Sequence, residues 1–216
     1  MTTSFGIIGG TGKQGTGLAK RLARLDYLVR IGSRSKSRGE DHATQLNNEL
    51  STTLITGGDN EYAANADIVV LAIPFDQVEV LVMPLEKELS GKIVIDLTVN
   101  LTFGKFIKTN LENGMSSYEF VREQLPNSKV ITSLKTISFV KLNASHQLDE
   151  SDFEITTSDE AFDVVSNLVM KFGLRPVRIR GKTHAHTIER MVALSIQLNK
   201  EYPGSHVGFQ LCDLKS

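Results

Sequence analysis

What most restricts the fold of this chain is a series of short apolar runs in which hydrophobic residues follow one another without polar alternation. Residues 5–9 are one such run, closed by Gly9 and Gly10, and residues 67–74 form another, stopped by Pro74. Further strand-like runs are predicted at 27–31, 53–56, 92–96 and 129–133. Between them lie helix-sized segments. Residues 14–25 carry Leu18, Ala19, Leu22 and Leu25 on one helical stripe, 38–50 are polar, and 76–89 and 116–124 have helical period. A strand that is apolar on both sides must be covered on both faces, which is the condition of a parallel sheet wrapped by helices. With right-handed crossovers, the expectation is an α/β, doubly wound parallel sheet over residues 1–137. Residues 138–216 are expected to form a small C-terminal α/β lobe, with an amphipathic helix at 161–172, a strand at 175–180 and a long helix at 183–199.

The first strand leads directly into Gly10-Thr11-Gly12-Lys13-Gln14-Gly15, a G-x-G-x-x-G pattern that opens the first helix. The first glycine allows a tight turn, the second lets backbone approach a pyrophosphate, and the third permits close helix–strand packing. Free amides at the helix N-terminus would then hold the negative charge. Without the flanking strand and helix the pattern is weak; here both are predicted, so Gly10, Thr11, Gly12, Lys13 and Gln14 are expected to bind a dinucleotide.

The end of the second strand selects between dinucleotides. An Asp or Glu there accepts from a ribose 2′-hydroxyl, but no carboxylate occurs between Asp26 and Glu40. The segment instead carries Arg30, Ser33, Arg34, Lys36 and Arg38. Guanidinium groups grip a phosphate through paired charge-assisted hydrogen bonds, so NADP is the expected cofactor, with a solvated basic turn as the plain alternative.

Composition narrows the remaining classes. The formal net charge of -1 argues against a global footprint for nucleic acid, and the basic cluster near Arg34 is local. A single cysteine, Cys212, excludes an intramolecular disulfide framework and any multi-cysteine zinc site. No run approaches 18 apolar residues and residues 1–4 carry no cationic leader, so a soluble cytoplasmic protein without membrane contact is expected. The glycine pattern also fits the short-chain dehydrogenases, whose tyrosine is followed by a lysine four residues later. Tyr27, Tyr62, Tyr118 and Tyr202 are followed at that spacing by Ile31, Ala66, Arg122 and His206, which removes that class.

Five segments in order resemble the NADPH-dependent reductases of coenzyme F420, the deazaflavin: residues 9–15, 32–34, 72–75, 134–137 and 173–176. The resemblance extends to Glu189 and to Gly208 and Phe209, and so covers nearly the whole chain. A weaker likeness is to the oxidoreductase domain of six-transmembrane ferric reductases. The F420 resemblance implies that Thr11 to Gln14 hold pyrophosphate, that Ser33, Arg34 and Arg38 hold the 2′-phosphate, and that Ile73, Pro74 and Val99 line the path to the nicotinamide. It also implies hydride transfer between nicotinamide C4 and the deazaflavin, with Lys135, Thr136 and Ile137 at the substrate, and a homodimer. The cofactors carry that chemistry, which suits a sequence with no triad and no paired acids around a cleft. Where better known members carry histidine, this chain has Lys135, which makes it a candidate catalytic residue: an anchor for an anionic ring, or an acid for a carbonyl or imine. Its plain alternative is a surface lysine past a strand end. Two other readings stay open: an NADPH-dependent reductase of a flavin, quinone, metal chelate or small carbonyl compound, and a non-catalytic NADP-binding sensor.

Lesser features have plainer expectations. His184 and His186 lie about 200° apart on a helix and are not expected to share a metal ion. Ser37 and Glu40 have the spacing of a capping box, Cys212 is expected to be a packing residue, and Asp96 a loop cap. The seven carboxylates between 149 and 163 read as a solvated loop and helix start. Ile188, Met191, Val192, Leu194 and Leu198 form an apolar stripe on the last helix, suited to a core or to a dimer.

Overall fold

The computed structural model describes residues 3–110 and 114–214. The first half alternates strictly: β1 (Ser4–Ile8), α1 (Lys13–Arg24), β2 (Leu28–Ser33), α2 (Lys36–Leu50), β3 (Ile55–Asp59), α3 (Asn60–Ala64) and β4 (Ile68–Leu71). Two short helices, α4 (Val78–Val82) and α5 (Glu86–Leu89), precede β5 (Ile93–Asp96) and a small hairpin of β6 (Leu101–Thr102) and β7 (Lys108–Thr109). Then come α6 (Ser117–Gln124), β8 (Lys129–Thr132), α7 (Phe139–Asn143), β9 (Ser151–Thr156), α8 (Asp159–Lys171), β10 (Arg175–Arg178) and α9 (Ala185–Glu201).

Eight strands make one sheet in the order β10-β9-β8-β5-β4-β1-β2-β3. The two-sided apolar strands do what their composition requires. Along β4, Ile68 and Val70 join a core with α1, α2 and α8, while Val69 and Leu71 join a second core with α4, α5, α6 and α9. Strand period 2 thus feeds both layers from one continuous apolar run. The order reverses between β1 and β4, which opens a crevice at their carboxyl ends.

Several expectations change. The helix read at 76–89 is broken into 3-10 turns and the two short helices α4 and α5. Pro84 lacks an amide proton and its ring clashes with the preceding turn, so the segment cannot run as one helix. The strand read at 53–56 lies at Ile55–Asp59. The sheet is not wholly parallel: β9 runs antiparallel to β8, and β10 is parallel to β9, so residues 138–216 add two strands to the same sheet. A parallel return needs a crossover long enough to carry the chain back along the strands, and five-residue α7 is too short for that. It stays at the carboxyl edge, where Arg21 of α1 donates to the carbonyls of Lys141 (2.7 Å) and Leu142 (3.0 Å) and fixes its end.

The capping box at Ser37 and Glu40 is absent. α2 begins at Lys36 after Ser35, which makes no side-chain cap bond, so Ser37 lies inside the helix. The capping box lies instead at Ser116 and Glu119, at the start of α6. The acidic stretch is only partly solvated: Asp152 and Glu154 are buried because β9 is covered on both faces, and Glu150 just before it is buried against Lys141, whereas Asp149, Asp159, Glu160 and Asp163 are exposed. Cys212 is exposed rather than packed, in the segment beyond α9. The stripe on α9 divides, with Ile188 and Val192 in the core and Leu194 half exposed.

Candidate active site

The crevice at the β1–β4 reversal is a cleft of about 380 Å³ whose wall includes Gly9, Thr11, Gly12, Ser33, Arg34, Arg38, Ile73 and Pro74. Each glycine there has a distinct reason. Gly9 takes φ +78°, and a Cβ on it would lie 2.5 Å from Ile73 Cγ2 and 2.7 Å from the Ala72 carbonyl oxygen. Gly10 is a packing residue behind the cleft: its amide donates to the Gly32 carbonyl at 2.9 Å, and it meets Gly15, whose Cβ would stand 2.7 Å from Gly10 Cα. The N-terminus of α1 has no side-chain cap at Gly12 and no acid in its first turn. The N-terminus of α2 is equally open and lies beside Arg34 and Arg38. Two uncapped helix starts in one cleft, one flanked by guanidiniums, suit an anion with two phosphate positions. His42, one turn beyond Arg38, is held below its ordinary range by burial and by the charges of Arg38 and Lys20, so it is neutral at pH 7 and adds no charge.

A second cavity of about 420 Å³ lies across the glycine loop, walled by Gln14, residues 135–140 and, from α9 and beyond, Val192, Ser195, Asn199 and His206. Gln14, in the first turn of α1, ties that helix to the second cavity: its Nε2 donates to the Ile137 carbonyl at 3.1 Å, while its buried Oε1 has no partner among the described residues. Beneath this cavity lies Lys135. Its ammonium is buried, pairs with Asp96 Oδ2 at 2.8 Å, and donates to Glu189 Oε1 (3.3 Å) and the Thr98 carbonyl. Burial alone would lower its pKa, but the two carboxylates outweigh that and hold it above the ordinary lysine range. Lys135 is therefore no surface lysine; its ammonium is held by two carboxylates and a backbone carbonyl. Asp96 also caps the turn, accepting from the Thr98 amide and hydroxyl, and Glu189 accepts from the amides of Ser117 and Tyr118 at the start of α6.

The structure thus brings most of the expected residues together, in two groups. Thr11, Gly12, Ser33, Arg34, Arg38, Ile73 and Pro74 wall the cleft, and Lys135, Thr136 and Ile137 the second cavity. Gln14 sits in the second wall, Lys13 places its ammonium 4.9 Å from the Phe139 ring, and Val99 lines neither cavity. Sequence reasoning missed Asn60, Asp76 and Gln77 in the cleft, and Ser195, Asn199 and His206 in the second cavity. No local pattern marks them, because they reach the cavities from segments distant in sequence. His186 pairs with Glu119 at 3.2 Å, and among the described residues no group of three His, Cys, Asp or Glu could hold a metal ion.

A buried carboxyl pair lies behind the second cavity. Asp152 accepts from the Ser133 hydroxyl and from the Leu134 amide (2.6 Å), whereas Glu154, two residues along the same face of β9, receives the Ser166 hydroxyl (2.7 Å) and faces Arg178 of β10. Burial raises both, Glu154 to about 9 with the Asp152 charge adding to the rise. Asp152, which receives two hydrogen bonds, carries the charge and Glu154 the proton. An unfolded glutamate ionises near 4.3, so above that pH the unfolded chain has released a proton that the folded chain keeps. Stability therefore falls with rising pH, by about 1.4 kcal/mol per unit, until Glu154 itself ionises. Between pH 7 and 9 the wild-type Tm should drop several degrees more than that of Glu154→Gln. Parallel melting profiles would show that Glu154 ionises freely.

Comparison with known proteins gives one consistent result. The sequence pattern described as "NADP oxidoreductase coenzyme F420-dependent" matches residues 4–100. An F420-dependent NADP reductase of Methanocaldococcus jannaschii is 30% identical, covering 97% of this chain and 98% of its own. One from Methanothermobacter thermautotrophicus is 28% identical, covering 99% and 97%. Among solved structures, a protein of Arthrobacter sp. FB24, described provisionally as an F420-dependent NADP reductase, superposes with a TM-score of 0.82 at 22% identity, over 98% of this chain and 100% of its own.

Proposed function

The chain belongs to the family of coenzyme F420-dependent NADP oxidoreductases, and on that premise we propose that it transfers a hydride between NADPH and the deazaflavin ring of coenzyme F420. The observation that carries this reading is that one helix start serves both cavities: Thr11 and Gly12 wall the cleft, and Gln14, in the first turn of α1, walls the second cavity and donates to the Ile137 carbonyl.

The amides at Thr11 and Lys13 and the open start of α1 would hold the pyrophosphate, while the Gly12 amide is taken by the Gly9 carbonyl. Ser33, Arg34 and Arg38, with the open start of α2, hold the 2′-phosphate. Gly9 keeps the loop packed against the end of β4, since any side chain there would strike Ile73 and the Ala72 carbonyl. Ile73 and Pro74 guide the dinucleotide along the strand ends toward Thr136 and Ile137. NADPH supplies the hydride at nicotinamide C4. The protein's part is to bind, orient and exclude water, because direct hydride exchange between two rings needs no protein acid. Lys135 serves as a positioning residue, which agrees with a buried ammonium held by Asp96, Glu189 and the Thr98 carbonyl. Residues 1–137 carry the dinucleotide and residues 138–216 complete the substrate pocket. A homodimer through the α9 face is supported by the half-exposed Leu194 beside the exposed Phe106, and sedimentation velocity reads it directly. No helix among the described residues is long and apolar enough to cross a membrane, in keeping with work in the cytoplasm.

The test is to mix the protein with NADPH and oxidised F420 and follow loss of deazaflavin absorbance. Turnover is expected. Reduction of a flavin or quinone but not of F420 would move the assignment to another acceptor, and tight NADPH binding with no acceptor reduced would make the protein a sensor.

A further inference from the structure

We propose that Asp152, which lines neither cavity, is the positioning residue that sets the acceptor-facing turn at residues 133–137 through its bonds to Ser133 and Leu134. The proposal deepens the deazaflavin reading above and rests on it.

The turn begins where β8 ends at Thr132. Within five residues it must bury the Leu134 side chain in the core, send the Lys135 ammonium to Asp96 and Glu189, and place Thr136 and Ile137 on the cavity wall. The chain achieves this by taking Leu134 to φ +59°, a left-handed conformation that leucine rarely adopts. Something must hold it there. The Ile137 amide closes the turn on the Leu134 carbonyl at 3.3 Å, a long contact that restrains it weakly. The strong restraint comes from the neighbouring strand. Asp152 Oδ1 accepts from the Leu134 amide at 2.6 Å, and Oδ2 accepts from the Ser133 hydroxyl.

Both oxygens of one buried carboxylate therefore grip two successive residues of the turn. Asp152 is 1% exposed, so water cannot replace it. A lost partner would leave the Leu134 amide unsatisfied inside the protein, which favours relaxation of the turn toward an ordinary backbone conformation. That relaxation would shift Thr136 and Ile137, and with Ile137 the carbonyl to which Gln14 donates. The NADPH cleft is built from other residues, at 9–12, 33–38, 60 and 72–81, and Asp152 hydrogen-bonds to none of them. The main effect is thus expected on the acceptor side.

The experiment compares wild type, Asp152→Ala, Asp152→Asn and Ser133→Ala. It measures KM for F420, kcat, the Kd for NADPH, and amide hydrogen exchange of a peptide covering residues 133–137. Asp152→Ala should raise the F420 KM about tenfold or more, the scale of a lost charge-assisted hydrogen bond, while NADPH Kd stays within about twofold. Asp152→Asn keeps a carbonyl oxygen for the Leu134 amide and should recover most of the loss, with Ser133→Ala intermediate. Exchange at 133–137 should quicken in Asp152→Ala and remain slow in Asp152→Asn. An unchanged KM, equal losses for F420 and NADPH, or an Asn variant as impaired as the Ala variant would each overturn the proposal. If wild type does not reduce F420, the deazaflavin reading fails by itself. The exchange comparison then still decides whether Asp152 sets the turn: unchanged protection at 133–137 would overturn it.

Discussion

Arg34→Ala should weaken NADPH binding by about ten- to a hundredfold, the range expected when a charge-assisted contact to phosphate is removed. Binding of NADH should change by less than about threefold, because that nucleotide lacks the 2′-phosphate against which Arg34 is expected to act. The basis is the arrangement at the end of β2. Ser33, Arg34 and Arg38 share one wall of the cleft, α2 starts there without a side-chain cap, and its first turn holds no acid. Arg38 remains in the variant, so phosphate recognition should be reduced rather than abolished. Titration with both nucleotides decides the matter. Equal losses would show that Arg34 supports the cleft without reading the phosphate. Raising the salt concentration should narrow the NADPH–NADH gap in the wild type, since these side chains face an open cleft.

Lys135→Met is expected to lower stability by about 3–5 kcal/mol, the usual result of removing one partner from a buried ionic group. For a chain of this size that corresponds to a fall in Tm of roughly 6–20 °C. The side chain lost is similar in length and apolar, so little of the effect is a cavity. What remains is Asp96 and Glu189, both buried and stripped of the cation that bridged them. Asp96 keeps its bonds from Thr98, and Glu189 keeps the Ser117 and Tyr118 amides, which limits the damage to the lost charge. Adding Glu189→Gln to Lys135→Met should recover part of the loss, because one of the uncompensated charges is then removed. A Tm within 2 °C or so of wild type, or a double variant less stable than the sum of the singles, would contradict an ionic role for Lys135.

The two substitutions also mark how legible the molecule was. Arg34 could be found from sequence because its role depends on neighbours in the chain: a strand end, a missing carboxylate and a basic run within nine residues. Lys135 could be picked out by position past a strand end, but not by role, since its partners stand 39 residues before it and 54 after it. The helix expected at 76–89 failed because period outweighed Pro84, and the carboxylates of β9 were misread because charge was taken to imply exposure. A strand flanked on both sides can bury acids when hydroxyls and amides solvate them, and those donors come from Ser133, Leu134 and Ser166 on other elements.

By itself the sequence determined the sheet's two-sided cover, the glycine turn and the preference for a 2′-phosphate. Each depends on residues within one strand, one loop or one helix start, where spacing alone dictates geometry. Tertiary structure decided the direction of β9, the engagement of Lys135, the second cavity and the left-handed turn at Leu134. These rest on contacts between segments far apart in the chain, and only packing brings such segments within hydrogen-bond reach.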